Sequence, residues 1–269
     1  MKIKEIIAYG KEELKGEEDG ILKARLLLAF LLDVSKEYLI IHLEEEVSTS
    51  VEKIYKKKIQ ELKKGKPLQY ITKKQEFMGY SFFVDERVLI PQPDTEILVE
   101  TVLQLLQKRK NPAQILDLCT GSGAIGISIA KKMPNSKVVL ADISSDALEV
   151  ASQNAKQLEC PNICLVQSDF WKSITGVFDI IVSNPPYIPT SVIATLSKEV
   201  REEPILALNG GEDRTKCLSC NFSKSPYLFK GRWIPCVGNW VWPKRASDGT
   251  SAKYKTVYKL TSNTRFSRK

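Results

Sequence analysis

At 269 residues the chain has room for one sizeable α/β domain and a smaller companion, and no apolar run is long enough to cross a bilayer; residues 24–32 fall far short. Its first residues, Met1-Lys2-Ile3-Lys4-Glu5, alternate in charge and lead into a helical pattern, which argues against a secretory leader and makes a cytoplasmic place the expectation. The formal net charge of +8 would suit nucleic acid, but residues 214–269 carry 13 Lys+Arg against Asp248 alone, a net of +12 that leaves the remainder at −4. Nucleic acid is therefore not expected as the direct substrate.

Residues 1–70 read as helices. Leu22, Ala24, Leu26, Leu27, Leu28, Phe30, Leu31 and Leu32 form a dense apolar helix ending near Asp33, and an amphipathic stretch over 51–64 is closed by Lys64-Gly65-Lys66-Pro67. Residues 77–85 read as a β-hairpin with Gly79 at its bend, and the prolines keep Val88-Leu89-Ile90-Pro91-Gln92-Pro93 extended. Asp94 or Thr95 is placed to cap a helix running to Leu106. Strand and helix then alternate over 114–118, 124–132, 137–141, 146–158, 163–167 and 178–183, the signature of a parallel, doubly wound sheet, and the alternation stops after Asp213.

Six cysteines accompany one histidine, His42. Cys119, Cys160 and Cys164 fall in the periodic region, where free thiols are expected. Cys217-Leu218-Ser219-Cys220 has half the spacing of a zinc ribbon and Cys236 could add a ligand, but no second pair follows, so no metal site is expected.

The chemistry collects at strand ends. Ile115-Leu116-Asp117-Leu118-Cys119-Thr120-Gly121-Ser122-Gly123-Ala124 is a strand entering a glycine-rich turn and a helix. Gly121 and Gly123 let backbone approach a ligand, the helix N-terminus offers unpaired N–H groups, and Cys119, Thr120, Gly121, Ser122 and Gly123 are candidate cofactor-binding residues. Asp117 before the turn suits the ammonium group of a methionine moiety and would repel a pyrophosphate; a plain tight turn is the alternative for this segment alone. Asp142 ends the next strand, where a carboxylate can accept from both ribose hydroxyls of an adenosine. Asp169 could accept from the adenine amino group and Phe170 could stack on the ring, unless Phe170 is an ordinary core aromatic. Three such acids in order point to S-adenosylmethionine.

Asn184-Pro185-Pro186-Tyr187 follows a buried strand. An amide or aromatic amine has a delocalised lone pair and attacks a methyl sulfonium poorly. The Asn184 side-chain carbonyl and the Pro185 backbone carbonyl can accept its two N–H bonds, holding the nitrogen in line and favouring the charge that develops on it. Pro185 and Pro186 stiffen the loop, and Tyr187 can pack on the planar group. No general base is needed, since the proton is lost after transfer.

With these residues the chain resembles the release factor glutamine methyltransferase family. Asn184-Pro185-Pro186-Tyr187 is shared with amino-methylating DNA and RNA enzymes, so it is Pro67-Leu68-Gln69-Tyr70-Ile71, Glu76-Phe77-Met78-Gly79 and Val88-Leu89-Ile90-Pro91-Gln92-Pro93-Asp94-Thr95-Glu96 that carry the resemblance. It implies a class I S-adenosylmethionine-dependent methyltransferase fold with a helical substrate-recognition domain over 1–75, a hairpin linker over 76–93 and the methyltransferase domain over 94–213. It also implies methylation of the glutamine in the Gly-Gly-Gln loop of peptide chain release factors. Two positions depart from the family: Gln92 stands where arginine is usual and Lys73 where glycine is usual.

Residues 214–269 do not fit this frame, because the fold calls for three more strands and the segment is rich in Lys, Ser and Trp. Every Trp codon ends in GG, so reading the last two bases of each codon with the first of the next turns Trp233, Trp240 and Trp242 into glycine. Residues 232–243 can then read G-G-Y-L-A-L-E-I-G-Y-G-Q, a glycine turn and a buried strand. The expectation is one extra base near the codons for Asp213 and Arg214, leaving the sheet with an exposed edge and a loss exceeding a stability margin of roughly 5–15 kcal/mol. Two rival functions follow: an amino-methylating nucleic-acid enzyme, and a remnant that binds cofactor or a partner without turnover.

Overall fold

The computed structural model describes residues 1–107, 109, 111–212 and the backbone of 229–235. The expectations attached to Cys217, Cys220 and Cys236, and to the rest of 214–269, lie outside the described residues.

Five helices open the chain: α1 (Ile3–Glu13), α2 (Gly20–Leu32), α3 (Lys36–Ile41), α4 (Thr49–Lys63) and α5 (Leu68–Thr72). Their apolar faces close on a core of their own, in which Ile3, Ile6, Leu27, Leu28, Tyr55 and Ile59 are buried. The hydroxyls of Ser35 and Ser48 accept from Tyr38 N and Val51 N and so start α3 and α4. Lys73 ends α5 in the left-handed region, at φ 57°. That is the conformation for which glycine is suited, so the lysine is strained there.

The hairpin pairs β1 (Lys74–Phe77) with β2 (Tyr80–Phe83), antiparallel. Met78 (φ 53°) and Gly79 (φ 77°) are both left-handed, the two-residue turn whose twist matches the strands. The first strand thus begins at Lys74 rather than at Phe77. Its residues Lys74, Gln75 and Glu76 are all polar and leave no apolar alternation to read. The chain then enters α6 (Glu96–Gln107) through a 3₁₀ turn, Pro93–Thr95. Asp94 and Thr95 lie inside that turn, and its leading residue, Gln92, makes no side-chain cap.

β3 (Gln114–Leu118), α7 (Ala124–Lys132), β4 (Lys137–Asp142), α8 (Ser145–Gln157), β5 (Ile163–Gln167) and β6 (Phe178–Ser183) follow in alternation. The strands are parallel, and successive residues face opposite layers. Ile115, Ile180 and Val182 pack under α6, α7 and α8, while Leu116, Leu118 and Ile181 pack against Trp171, Ile174 and Phe178. Beyond β6 the chain runs through β7 (Ile188–Pro189), α9 (Thr190–Ile193), α10 (Lys198–Arg201), α11 (Ile205–Leu208) and β8 (Asn209–Gly211), and β7 pairs with β8.

One expectation needs correction. The backbone of β9 (Phe229–Pro235) forms a strand parallel to β6, giving the sheet order β5-β4-β3-β6-β9. The edge of β6 is therefore paired, and residues 214–269 do supply a strand. The physical reason is the row of backbone donors and acceptors that β6 presents, which any extended segment can satisfy. The register shifts between Phe178 and Ile180, and Pro235, which has no N–H to donate, sits at the end of the pairing opposite Ser183.

Candidate active site

The C-terminal ends of the parallel strands meet at one edge of the sheet, and a cavity of about 430 Å³ opens there. That size falls in the range that accommodates a small-molecule ligand. Its walls come from the turn after β3, the ends of β4 and β5, the loop after β6, the linker, and the segment around α11.

The turn is built by local backbone chemistry. Cys119 (φ 60°), Gly121 (φ 55°) and Gly123 (φ 83°) are all left-handed. Cys119, Thr120, Gly121 and Ser122 line the cavity. Gly123 does not; a Cβ there would stand 2.6 Å from Ile127 Cδ1 and 3.2 Å from Ala151 Cβ, so helix packing also asks for glycine here.

Asp117 is also placed differently from the sequence expectation. It is fully buried beneath the turn and lies outside the cavity lining. Its Oδ2 accepts from Thr120 Oγ1 at 2.7 Å and from Gly126 N at 2.9 Å, so it braces the turn against the first helical residues of α7. Burial pushes its carboxyl up to about 7, and Asp142 adds to the push. Oδ1 of Asp117 is buried with no hydrogen-bond partner among the described residues.

Asp142 does face the cavity. Its Oδ2 accepts from Gly121 N at 2.9 Å and its Oδ1 from Ser144 N at 3.0 Å, which ties two turns to one carboxylate. Burial raises its pKa while those backbone donors oppose the rise. A carboxylate has about four lone-pair sites, so two backbone bonds leave capacity for a ribose diol. Asp169 and Phe170 line the cavity as well. Asp169 is paired with Lys172 at 2.6 Å, and Ser168 Oγ donates to Phe170 O at 2.7 Å while accepting from Ser173 N at 3.0 Å. Those bonds hold Phe170 in the left-handed region at φ 49°.

The Asn-Pro-Pro-Tyr loop leaves β6 at a fixed height. Ser183 Oγ donates to Leu118 O at 2.6 Å, joining the last residues of the two strands that carry the turn and the loop. Asn184 and Pro186 line the cavity; Pro185 is buried and Tyr187 half-buried, both outside the lining. Gly210 makes the loop's packing possible, since a Cβ there would stand 2.7 Å from Tyr187 Cα.

Two walls were not foreseen as such. Arg87, Val88, Leu89, Pro91 and Gln92 of the linker line the cavity, as do Pro204, Leu206, Ala207 and Asn209. The signal for the first was the apolar run Val88-Leu89-Ile90 leading into two prolines; for the second it was Gly210-Gly211 just after the apolar run over 205–208. Gln92, a departure from the family, lies in the wall and donates to Ile90 O at 3.1 Å.

The donor set suits S-adenosylmethionine. Glu86, Asp142, Asp146 and Asp169 line the cavity together with Arg87; Glu86 is paired with Lys66 and Lys73 and Asp169 with Lys172. Asp142 lines the cavity at the end of β4, and Asp169 and Phe170 line it just after β5. Among the described residues no group of three or more potential metal ligands occurs, and no helix is long and apolar enough to cross a membrane.

Residues 5–72 match the PrmC N-terminal domain and residues 93–201 the Methyltransferase small domain. The release factor glutamine methyltransferase of Clostridium acetobutylicum is 41% identical over 220 residues, 79% of this chain and 77% of that one. Its counterpart in Moorella thermoacetica is 42% identical over 200 residues, 74% and 70% of the two chains. That of Buchnera aphidicola is 31% identical over 249 residues, 89% and 87% of the two, so its match includes part of residues 214–269. The S-adenosylmethionine-dependent methyltransferase of Agrobacterium tumefaciens superposes with a TM-score of 0.36 at 20% identity, over 42% of this chain and 39% of that one.

Proposed function

The chain belongs to the release factor glutamine methyltransferase family, and from that premise we propose that the cavity edge formed by Asn184 and Pro186 receives the glutamine of a Gly-Gly-Gln loop in a peptide chain release factor. The enzyme is an S-adenosylmethionine-dependent methyltransferase. When bound, that cofactor supplies an electrophilic methyl group on a sulfonium.

The Asn184 side-chain carbonyl and the Pro185 backbone carbonyl accept the two amide N–H bonds. They fix the nitrogen's position and favour the positive charge that develops on it. Pro186 and Tyr187 complete a stiff, flat seat, backed by Gly210. The nitrogen's proton leaves to water afterwards, so no side chain has to act as base. Asp142 holds the ribose hydroxyls, Asp169 and Phe170 the adenine, and the backbone of residues 119–122 the rest, with Asp117 bracing that turn from below. Residues 1–75 serve as the recognition domain, 76–93 as the linker and 94–213 as the catalytic domain, and the enzyme works in the cytoplasm.

The observation that carries this reading is the delivery of Asn184 and Asp142 to one cavity by the ends of β6 and β4, the parallel strands that flank β3. Its test is incubation of the chain with a release factor and isotopically labelled methyl donor, followed by peptide mapping. Label on the Gly-Gly-Gln glutamine, reduced about a hundredfold or more by Asn184→Ala, is the expected result. Label in DNA or RNA instead would establish the nucleic-acid reading. A second reading, cofactor binding without turnover, is motivated by residues 214–269, which depart from the expected sequence; bound cofactor with no label on any acceptor would establish it. Re-reading the gene across the codons for Asp213 and Arg214 separates a sequence error from a true altered C-terminus.

A further inference from the structure

One buried acid lies between the helical domain and the cavity and takes no part in the chemistry above. Glu203 follows α10 in the run Glu202-Glu203-Pro204, and its side chain is 7% exposed. Its Oε2 accepts from Ile90 N at 2.9 Å. Ile90 belongs to the linker wall, where Val88, Leu89 and Gln92 line the cavity, and Tyr70 holds the same stretch by donating its hydroxyl to Val88 O at 2.6 Å.

Glu203 is also the residue at which the opposite wall begins, since Pro204, Leu206 and Asn209 line the cavity. That wall reaches the amide-holding loop: β8 pairs with β7, and Gly210 packs on the Tyr187 backbone. In the other direction α10 is fastened to the helical domain. Glu199 is paired with Lys23, Lys198 lies 3.6 Å from Glu17, and a Cβ on Gly65 would stand 2.7 Å from Lys198 Cβ. A continuous line of packed groups thus runs from α2 through α10 and Glu203 to Tyr187.

A carboxylate is a costly group to bury for filling space. Burial pushes Glu203 up to about 7, and Glu199 adds to the push, against the pull of the Ile90 N–H. An apolar side chain would fill the site without that cost, but it could not accept the linker's N–H.

We propose that Glu203 is a positioning residue: it clamps the linker wall to the α11–β8 wall, so that the place of the helical domain is transmitted to the loop that holds the substrate nitrogen. The proposal rests on the functional reading above and deepens it.

The test compares the full wild-type chain with Glu203→Ala and Glu203→Gln, reading Ile90 amide exchange, cofactor affinity by calorimetry, melting temperature and, separately, kcat and KM for the release factor. In the alanine variant Ile90 is expected to exchange about tenfold faster or more, with cofactor Kd rising and kcat falling by about tenfold each at temperatures well below melting. The glutamine variant, whose amide oxygen can still accept from Ile90 N, should restore all three. Should the alanine variant fail to fold, Glu203→Asp, one methylene too short to reach Ile90, is expected to show the same losses. The proposal is overturned if Ile90 stays protected without the carboxylate, if glutamine fails to rescue, or if Ile90 opens while cofactor affinity and kcat stay unchanged. If the wild type binds cofactor but methylates nothing, the functional reading fails, while exchange and affinity still decide the role of Glu203.

Discussion

The two sides of the cavity are built on different plans. The cofactor side is local: Asp117, Thr120 and Gly126 close one knot within a single strand–turn–helix unit, and Asp142 ties the adjacent strand end to it through Gly121 N and Ser144 N. The acceptor side is assembled from distant segments. Asn184 leaves β6, Gly210 packs behind Tyr187, and Glu203 reaches across to Ile90, 113 positions away in sequence. A site made of local knots forms as soon as its strand pairs form. A site made of long-range contacts depends on every segment that supplies one, including whatever follows β8.

This difference predicts separable failures. On the cofactor side, Asp142→Ala removes an acceptor from two backbone donors as well as from the ribose, and should weaken cofactor binding by about tenfold to a hundredfold, at about 1–3 kcal/mol. Calorimetric titration checks it, and unchanged affinity would break the assignment of that side. Next, Gly210→Ala forces a Cβ against backbone and should cost about 1–3 kcal/mol in denaturant unfolding. Release-factor turnover should fall with it, while cofactor affinity holds nearly constant.

A pH series sharpens the comparison, because each side carries an acid raised to about 7. Asp117 moves from 3.8 to about 7 and Glu203 from 4.5 to about 7. Between those limits the folded chain carries protons that the unfolded chain has lost. Stability is therefore fullest below about pH 4, as far as these two groups are concerned, falls as pH rises through about 7, and levels off above it. Melting temperature should drop by several degrees from pH 5 to pH 8, and Glu203→Gln should remove its share of the slope. The smallest effect is Lys73→Gly. Relief of a left-handed side chain should gain about 1 kcal/mol, less the few tenths lost with its exposed 2.9 Å pair to Glu86, which keeps Lys66 at 2.8 Å. Thermal melting reads the net, and a destabilised glycine variant would contradict the backbone explanation of this family departure.

Legibility in the sequence follows the same divide. The bounds of β3, α7, β5 and β6 could be read directly, because apolar runs of strand and helix length alternate there between polar turns. The glycine-rich turn and the Asn184 loop were legible because their residues are contiguous. The bond from Gly126 N to Asp117 was not legible, because spacing does not reveal whether a carboxylate points up to a ligand or down to a helix. β1 escaped because Lys74, Gln75 and Glu76 show no apolar alternation. Glu203 and the linker wall were invisible as partners because nothing near Ile90 in sequence signals a group at position 203. β9 was missed because residues 229–235 lack the expected pattern, and pairing with β6 is set by backbone that every residue shares.

The most direct test of the two-sided site is to measure cofactor affinity and release-factor methylation side by side on the wild type and on Asn184→Ala. The account predicts that the wild type binds cofactor and methylates the Gly-Gly-Gln glutamine, while the variant binds with nearly the same affinity and transfers at least about a hundredfold more slowly. Parallel loss of binding and transfer in the variant, or undiminished transfer without Asn184, would contradict it.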